Sequence, residues 1–175
     1  MGDVITDVNK FHKGWHSGLP ETPCGFGSKL NQTEKQRQWI PKIIQKYGIK
    51  SIADIGAGDL NWIKEMDLSG VEYTPYDLVP RLPEVQKFDL VNEIPPKVDM
   101  LMCLWVLNHL PKEQSRLAIQ NLKSSGSHYL LMSDRPRWHG EQPKEIHMPF
   151  IEELVVNVKK NDRILLVDLW SESSS

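Results

Sequence analysis

Ser51-Ile52-Ala53-Asp54-Ile55-Gly56-Ala57-Gly58-Asp59-Leu60-Asn61-Trp62 is the stretch that decides the fold. A short β-branched run stops at an acidic residue, two glycines follow one residue apart, and a helical pattern comes after them. That order predicts a strand, a tight turn and a helix N-terminus, which offers backbone N–H groups to a nucleotide-like ligand. Gly56 and Gly58 remove the Cβ atoms that would hold a ligand away from the backbone. Nineteen residues beyond Gly58 a second extended segment, Glu72-Tyr73-Thr74-Pro75-Tyr76, ends in Asp77. A carboxylate at that strand tip is placed to accept hydrogen bonds from ribose hydroxyls.

Two ligand classes use such a turn. A dinucleotide-binding dehydrogenase carries G-x-G-x-x-G, and its third glycine makes room for a pyrophosphate. Counting from Gly56, the sixth position here is Asn61, with Trp62 beside it. Asp54 adds negative charge just before the turn, which disfavours a diphosphate and suits a cationic group. S-adenosyl-L-methionine has an amine, a sulfonium, a ribose and an adenine, and no phosphate. An ordinary glycine turn between strand and helix is the plain alternative.

Working outward, residues 1–28 are rich in Gly, Pro and polar residues and read as an irregular arm. From Asn31 to Tyr47 the positions Trp39, Ile40, Ile43, Ile44 and Tyr47 recur at helical spacing, with Thr33 as N-cap candidate and Gly48 as stop. Pro41 is expected to bend or split that helix. Strands are expected at 51–55, 72–76, 85–88, 98–104 and 128–133, with helices at about 59–66 and 111–123. Pro80 and Pro83 forbid a second crossover helix, so the fold is trimmed there. Residues 134–149 hold three prolines and two histidines and read as a long loop. Glu152–Lys159 and Arg163–Trp170 flank Lys160-Asn161-Asp162 as a hairpin. The expected architecture is α/β: a doubly wound, mostly parallel, seven-stranded-type sheet closed by a C-terminal antiparallel hairpin. Residues 29–170 form the ligand-binding domain, and 171–175 are a disordered tail.

In open α/β sheets the ligand lies outside the carboxyl ends of the strands, at the switch in strand order. That rule collects Asp54, Gly56, Ala57, Gly58 and Asn61 after strand one, and Asp77 and Leu78 after strand two. It adds Asp89 after strand three, Leu104 and Trp105 after strand four, and Asp134 and Arg135 after strand five. Asp89 is placed to accept an adenine amino group, or is a plain turn aspartate. His109 and Asp134 are the candidate general bases. Packing against the next helix is the competing role for His109. Arg135, Arg137, Trp138 and His139 offer cations and an aromatic for an anionic acceptor, or form a solvated loop. His12, His16 and Cys24 do not have a convincing metal-site context.

Asp-Ile-Gly-Ala-Gly-Asp at 54–59 followed by Asp77 resembles the class I S-adenosylmethionine-dependent methyltransferases. Gly25-Phe26-Gly27-Ser28, Arg37-Gln38-Trp39-Ile40-Pro41, Asp59-Leu60-Asn61-Trp62, Asn108-His109-Leu110 and Ser125–Leu131 resemble a group of short bacterial and phage methyltransferases. The resemblance spans roughly residues 25–135. It implies the fold and the cofactor S-adenosyl-L-methionine, and leaves the methyl acceptor open. Beyond Tyr129-Leu130-Leu131 the chain departs from the group, which carries a longer segment before the last strands.

The 175 residues suit one domain with a real core. A net charge of −2 and a pI near 6.3 do not indicate a nucleic-acid footprint. No apolar run reaches membrane-span length, and the polar N-terminus is not a signal peptide. Two cysteines, Cys24 and Cys103, give no disulfide framework and suggest a reducing cytoplasm. No Asn-Pro-Pro-Tyr follows strand four, where Leu104-Trp105-Val106-Leu107 stands instead. The expected activity is methyl transfer to a small-molecule acceptor. A non-catalytic S-adenosylmethionine-binding module and an RNA or DNA methyltransferase are the alternatives, and oligomeric state is not legible.

Overall fold

Strand β1, Ser51–Ile55, is buried over four of its five residues, as a central parallel strand with both faces covered must be. It belongs to a computed structural model that describes residues 21–134, 150–155 and 163–171. Its neighbours are β2 (Glu72–Asp77) and β4 (Met100–Cys103), both parallel to it. Outside them lie β3 (Gln86–Lys87) and β5 (Tyr129–Asp134), again parallel. β7 (Arg163–Asp168) runs antiparallel to β5, and β6 (Phe150–Val155) antiparallel to β7. The seven strands stand in the order β3-β2-β1-β4-β5-β7-β6, the expected doubly wound sheet with its antiparallel closing pair. The order reverses between β1 and β4, so the switch crevice lies at the carboxyl ends of those two strands.

The residues alternate between two apolar layers because successive strand side chains point to opposite faces. Ile52, Met100, Met102 and Leu131 pack with Ile40 and Ile43 of α1 (Glu34–Tyr47) on one face. Ala53, Ile55, Leu101, Cys103 and Leu130 pack with Ala118, Ile119 and Leu122 of α2 (Lys112–Ser124) on the other.

Several expectations are corrected. The helix expected over 59–66 is a single 3-10 turn, Ile63–Glu65. Leu60 has φ 59, which a right-handed helix cannot contain, and the Asp59 carboxylate accepts the Asn61 N–H at 3.2 Å in a local turn. Pro41 does not split α1, which continues through it to Tyr47. Thr33 is the N-cap residue, yet its hydroxyl donates to Lys29 O and Leu30 O rather than capping. Gly48 stops α1 as expected, at φ 64, with Ile49 N–H returning to Ile44 O at 3.0 Å. The arm expected to be irregular contains a 3-10 turn, Phe26–Ser28, and is tethered by side chains described below. Its residues 1–20, the loop 135–149, the 156–162 connection and the end of the tail lie outside the described residues.

At the amino edge, Asp99 ties β1 to β4. Its Oδ2 accepts the N–H groups of Lys50 and Ser51 at 2.8 and 2.9 Å, and Ser51 Oγ accepts the Asp99 N–H at 2.9 Å. Asp99→Ala is expected to cost about 2 kcal/mol by losing two charge-assisted bonds. Urea unfolding of the variant against the parent measures this; an unchanged midpoint would show that water replaces the carboxylate without loss.

Candidate functional site

The turn after β1 reverses the chain with Gly56 at φ 87 and Gly58 at φ 64, conformations that glycine adopts freely. The N–H groups of Gly56 and Ala57 both donate to Tyr76 O, at 2.8 and 3.0 Å. Gly58 N–H donates to Asp77 Oδ2 at 2.9 Å, and Asp77 Oδ1 accepts Val79 N–H at 2.9 Å. The sequence reading expected these glycine-turn donors to face a ligand. They face the end of β2 instead, because β1 and β2 are adjacent and the turn folds onto its neighbour.

Gly56 also proves necessary for a different reason than ligand space. A Cβ there would lie 2.2 Å from Val106 Cγ2, so the slot is filled by the turn that follows β4. At Gly58 a Cβ would lie 2.9 Å from Cys24 Sγ. Val106 and Cys24 were not singled out for the turn by sequence reasoning, and no local pattern signals either contact.

Asp54, on the α1 side of β1, is only 5% exposed. Burial pushes its carboxyl up to about 7; the hydrogen bond from Tyr73 Oη, at 2.6 Å, opposes the rise, and the charge of Asp77 adds to it. Tyr73 was not predicted. It pairs with Ile52, so its ring reaches Asp54 diagonally across the two strands. Burial, with the Asp54 charge, also drives the Tyr73 hydroxyl and the Cys103 thiol well above their usual ranges.

On the far side of the switch, Leu104 is buried and Trp105 takes φ 61, with its N–H donated to Ser133 Oγ at 2.7 Å. Leu60 and Trp105 are the described non-glycine residues with positive φ, and both flank the crevice. Asn108 Nδ2 lies 3.3 Å from His109 Nε2 in the 3-10 turn Leu107–His109. That turn is pinned by Ser115 Oγ, which donates to Leu107 O at 3.0 Å. Asp134 ends β5, and Arg135 lies outside the described residues.

Other predicted cofactor residues have local partners. Asp89 accepts Val91 N–H at 3.0 Å and Asn92 Nδ2 at 2.7 Å, closing the turn after β3. Asn61 Nδ2 donates to Ser28 O at 2.9 Å and Glu21 Oε1 at 3.0 Å, so it anchors the arm to the glycine turn. Leu78 is half-buried directly after Asp77. Cys24 sits under this strap, and burial raises its thiol to about 11. Among the described residues no cluster of three or more His, Cys, Asp or Glu could hold a metal ion, and no helix is long and apolar enough to cross a membrane.

The fold recurs in solved structures. N-methyltransferase NodS from Bradyrhizobium japonicum WM9 with S-adenosyl-L-homocysteine matches with a TM-score of 0.65 over 91% of this chain and 98% of that one, at 12% identity. The fold is that of the methyltransferases. Magnesium protoporphyrin IX methyltransferase (ChlM) from Synechocystis PCC 6803 with bound SAM matches at 0.60, over 91% of both chains and 14% identity. A SAM-dependent methyltransferase from Archaeoglobus fulgidus matches at 0.53, over 82% of this chain and 97% of that one, at 13% identity. No protein-family model and no curated protein sequence matches the chain.

The carboxyl of Asp54 sets a pH dependence whose sign follows from its raised value. Its native-state pKa of about 7 exceeds the ordinary 3.8, so the native state holds the proton more tightly. Asp54 therefore contributes stability below about pH 4 and loses it as pH rises toward 7. Asp54→Asn is expected to gain stability relative to the parent across that window and to keep a constant offset above it. Paired thermal melts from pH 4 to pH 8 measure the gap; a gap that does not widen would remove the buried proton from the account.

Proposed function

We propose that this protein is an S-adenosyl-L-methionine-dependent methyltransferase acting on a small-molecule acceptor. One observation carries the reading: the Gly56–Gly58 donors are spent on Tyr76 O and Asp77, while two carboxylates, Asp54 and Asp77, stand beside the turn. A pyrophosphate needs the donors and is repelled by the carboxylates. A phosphate-free ligand with an ammonium group and a ribose suits both. The methyltransferase fold supports the same ligand class, since NodS and ChlM are described with S-adenosyl-L-homocysteine and SAM.

In this reading Asp77 accepts the ribose hydroxyls, Asp54 faces the amino-acid end, and Gly56, Ala57, Gly58 and Leu78 shape the backbone floor. Leu104 and Trp105 flank the ligand across the switch, and Asp89 takes the adenine amino group. Asn61 acts indirectly, by holding the arm against the turn. Methyl transfer forms a bond from the acceptor atom to the methyl carbon as the sulfur–methyl bond breaks, leaving a neutral thioether. Holding the two reactants in line supplies up to about 7–11 kcal/mol of the barrier. His109, Asp134 at the end of β5 and Arg135, which follows it in the sequence, are assigned to the acceptor side. Asn108 Nδ2 lies beside the His109 ring, 3.3 Å from Nε2.

S-adenosylhomocysteine is expected to bind by calorimetry and NAD is not. Asp77→Ala is expected to weaken that binding by about 1.5–3 kcal/mol. A micromolar NAD response with none to S-adenosylhomocysteine would sink the proposal, and undiminished binding by the variant would sink the ribose assignment.

His109→Ala and Arg135→Ala are expected to lose methyl transfer while keeping S-adenosylhomocysteine affinity within about threefold. The readout is labelled-methyl incorporation into lysate fractions alongside the binding titration. Full turnover by both variants would move the chemistry elsewhere. Absence of any accepting fraction would favour a binding module without turnover.

A further inference from the structure

We propose that Gln36 is a ligand-binding residue of this site, whose side-chain amide holds the α-ammonium and α-carboxylate of an amino-acid moiety. The inference rests on the functional reading above and adds a residue that neither the glycine turn nor the strand ends supply. Gln36 is 1% exposed, and its Nε2 and Oε1 are both buried without a hydrogen-bond partner among the described residues. A buried primary amide with neither donor nor acceptor engaged costs free energy, and native interiors keep few such groups.

Its place in the fold says what the amide awaits. α1 ends at Tyr47, and Gly48–Lys50 joins it directly to the start of β1, so the C-terminus of α1 lies at the amino edge of the sheet. Fourteen residues carry the helix back about 21 Å, which brings its first turn over the carboxyl edge. The buried stripe of α1 is Gln36, Ile40 and Ile43, and the two isoleucines belong to the same apolar layer as Ile52. Asp54 lies on the same face of β1 as Ile52, about 6–7 Å farther toward the carboxyl edge. Gln36 lies about 6 Å from Ile40 in that same direction. Both residues therefore lie on the α1 face of the sheet and toward its carboxyl edge, and that shared placement carries the proposal.

The chemistry there suits a zwitterion. Asp54 and Gln36 Oε1 accept from an ammonium, and Gln36 Nε2 donates to a carboxylate. The α1 N-terminus adds to the carboxylate's welcome, since Thr33 makes no side-chain hydrogen bond to cap it.

The test compares S-adenosylhomocysteine with methylthioadenosine, which keeps the adenine, ribose and thioether but lacks the amino-acid moiety. Gln36→Met keeps the shape and removes both polar groups. The variant is expected to bind S-adenosylhomocysteine at least about tenfold more weakly, to bind methylthioadenosine within about twofold of the parent, and to melt higher without ligand. Equal loss for both ligands, or no loss for either, overturns the assignment and makes the amide structural. Gln36→Glu repeats the comparison should the Met variant fail to fold, with the same selective loss expected and the same result overturning it. A parent that binds neither ligand defeats the methyltransferase reading itself, an outcome distinct from a parent that binds both equally, which defeats only the role of Gln36.

Discussion

The reversal of the chain after β1 is the constraint on which the rest depends. Gly56 and Gly58 take positive φ, and the three N–H groups from Gly56 to Gly58 close onto the tip of β2. That closure fixes β1 against β2 at their carboxyl ends and removes the donors a phosphate would require. It leaves Asp54 and Asp77 as the chemical character of the crevice. It also leaves no room for a side chain at Gly56, because Val106 of the β4 turn packs into that slot. One turn thereby joins the two halves of the doubly wound sheet across the point where strand order reverses.

The cost of the site is concentrated in a few groups. Asp54 is buried against its own charge and eased by the Tyr73 hydroxyl. Leu60 and Trp105 hold backbone conformations that disfavour side chains, one on each side of the crevice. Gln36 keeps a buried amide without a partner among the described residues. Such groups persist when the surrounding core over-determines them, and here two apolar layers with α1 and α2 do so. A ligand that supplies an ammonium to Asp54 relieves part of this cost on binding.

The strand–turn–strand core was legible because glycine spacing, β-branched runs and an acidic strand tip are local signals. Strands β1, β2, β4 and β5, the two long helices and the closing antiparallel pair follow from them. The crossover between β1 and β2 was misread as a helix, since the sequence pattern does not reveal that Leu60 adopts φ 59. The direction of the glycine-turn N–H groups was misread because it depends on which strand lies beside β1. Contacts over long separations left no local trace: Val106 at Gly56, Cys24 at Gly58, and Asn61 with Ser28 and Glu21. Tyr73 was within reach of strand periodicity, because it shares a face with Asp54 on the adjacent strand.

A crystal structure with S-adenosylhomocysteine tests the central claim most directly. The account predicts the ligand at the β1–β4 switch, its ribose hydroxyls on Asp77, and Gly56 and Ala57 N–H groups still donated to Tyr76 O. A ligand bound elsewhere, or a glycine turn swung outward so that these N–H groups face the ligand, would contradict it.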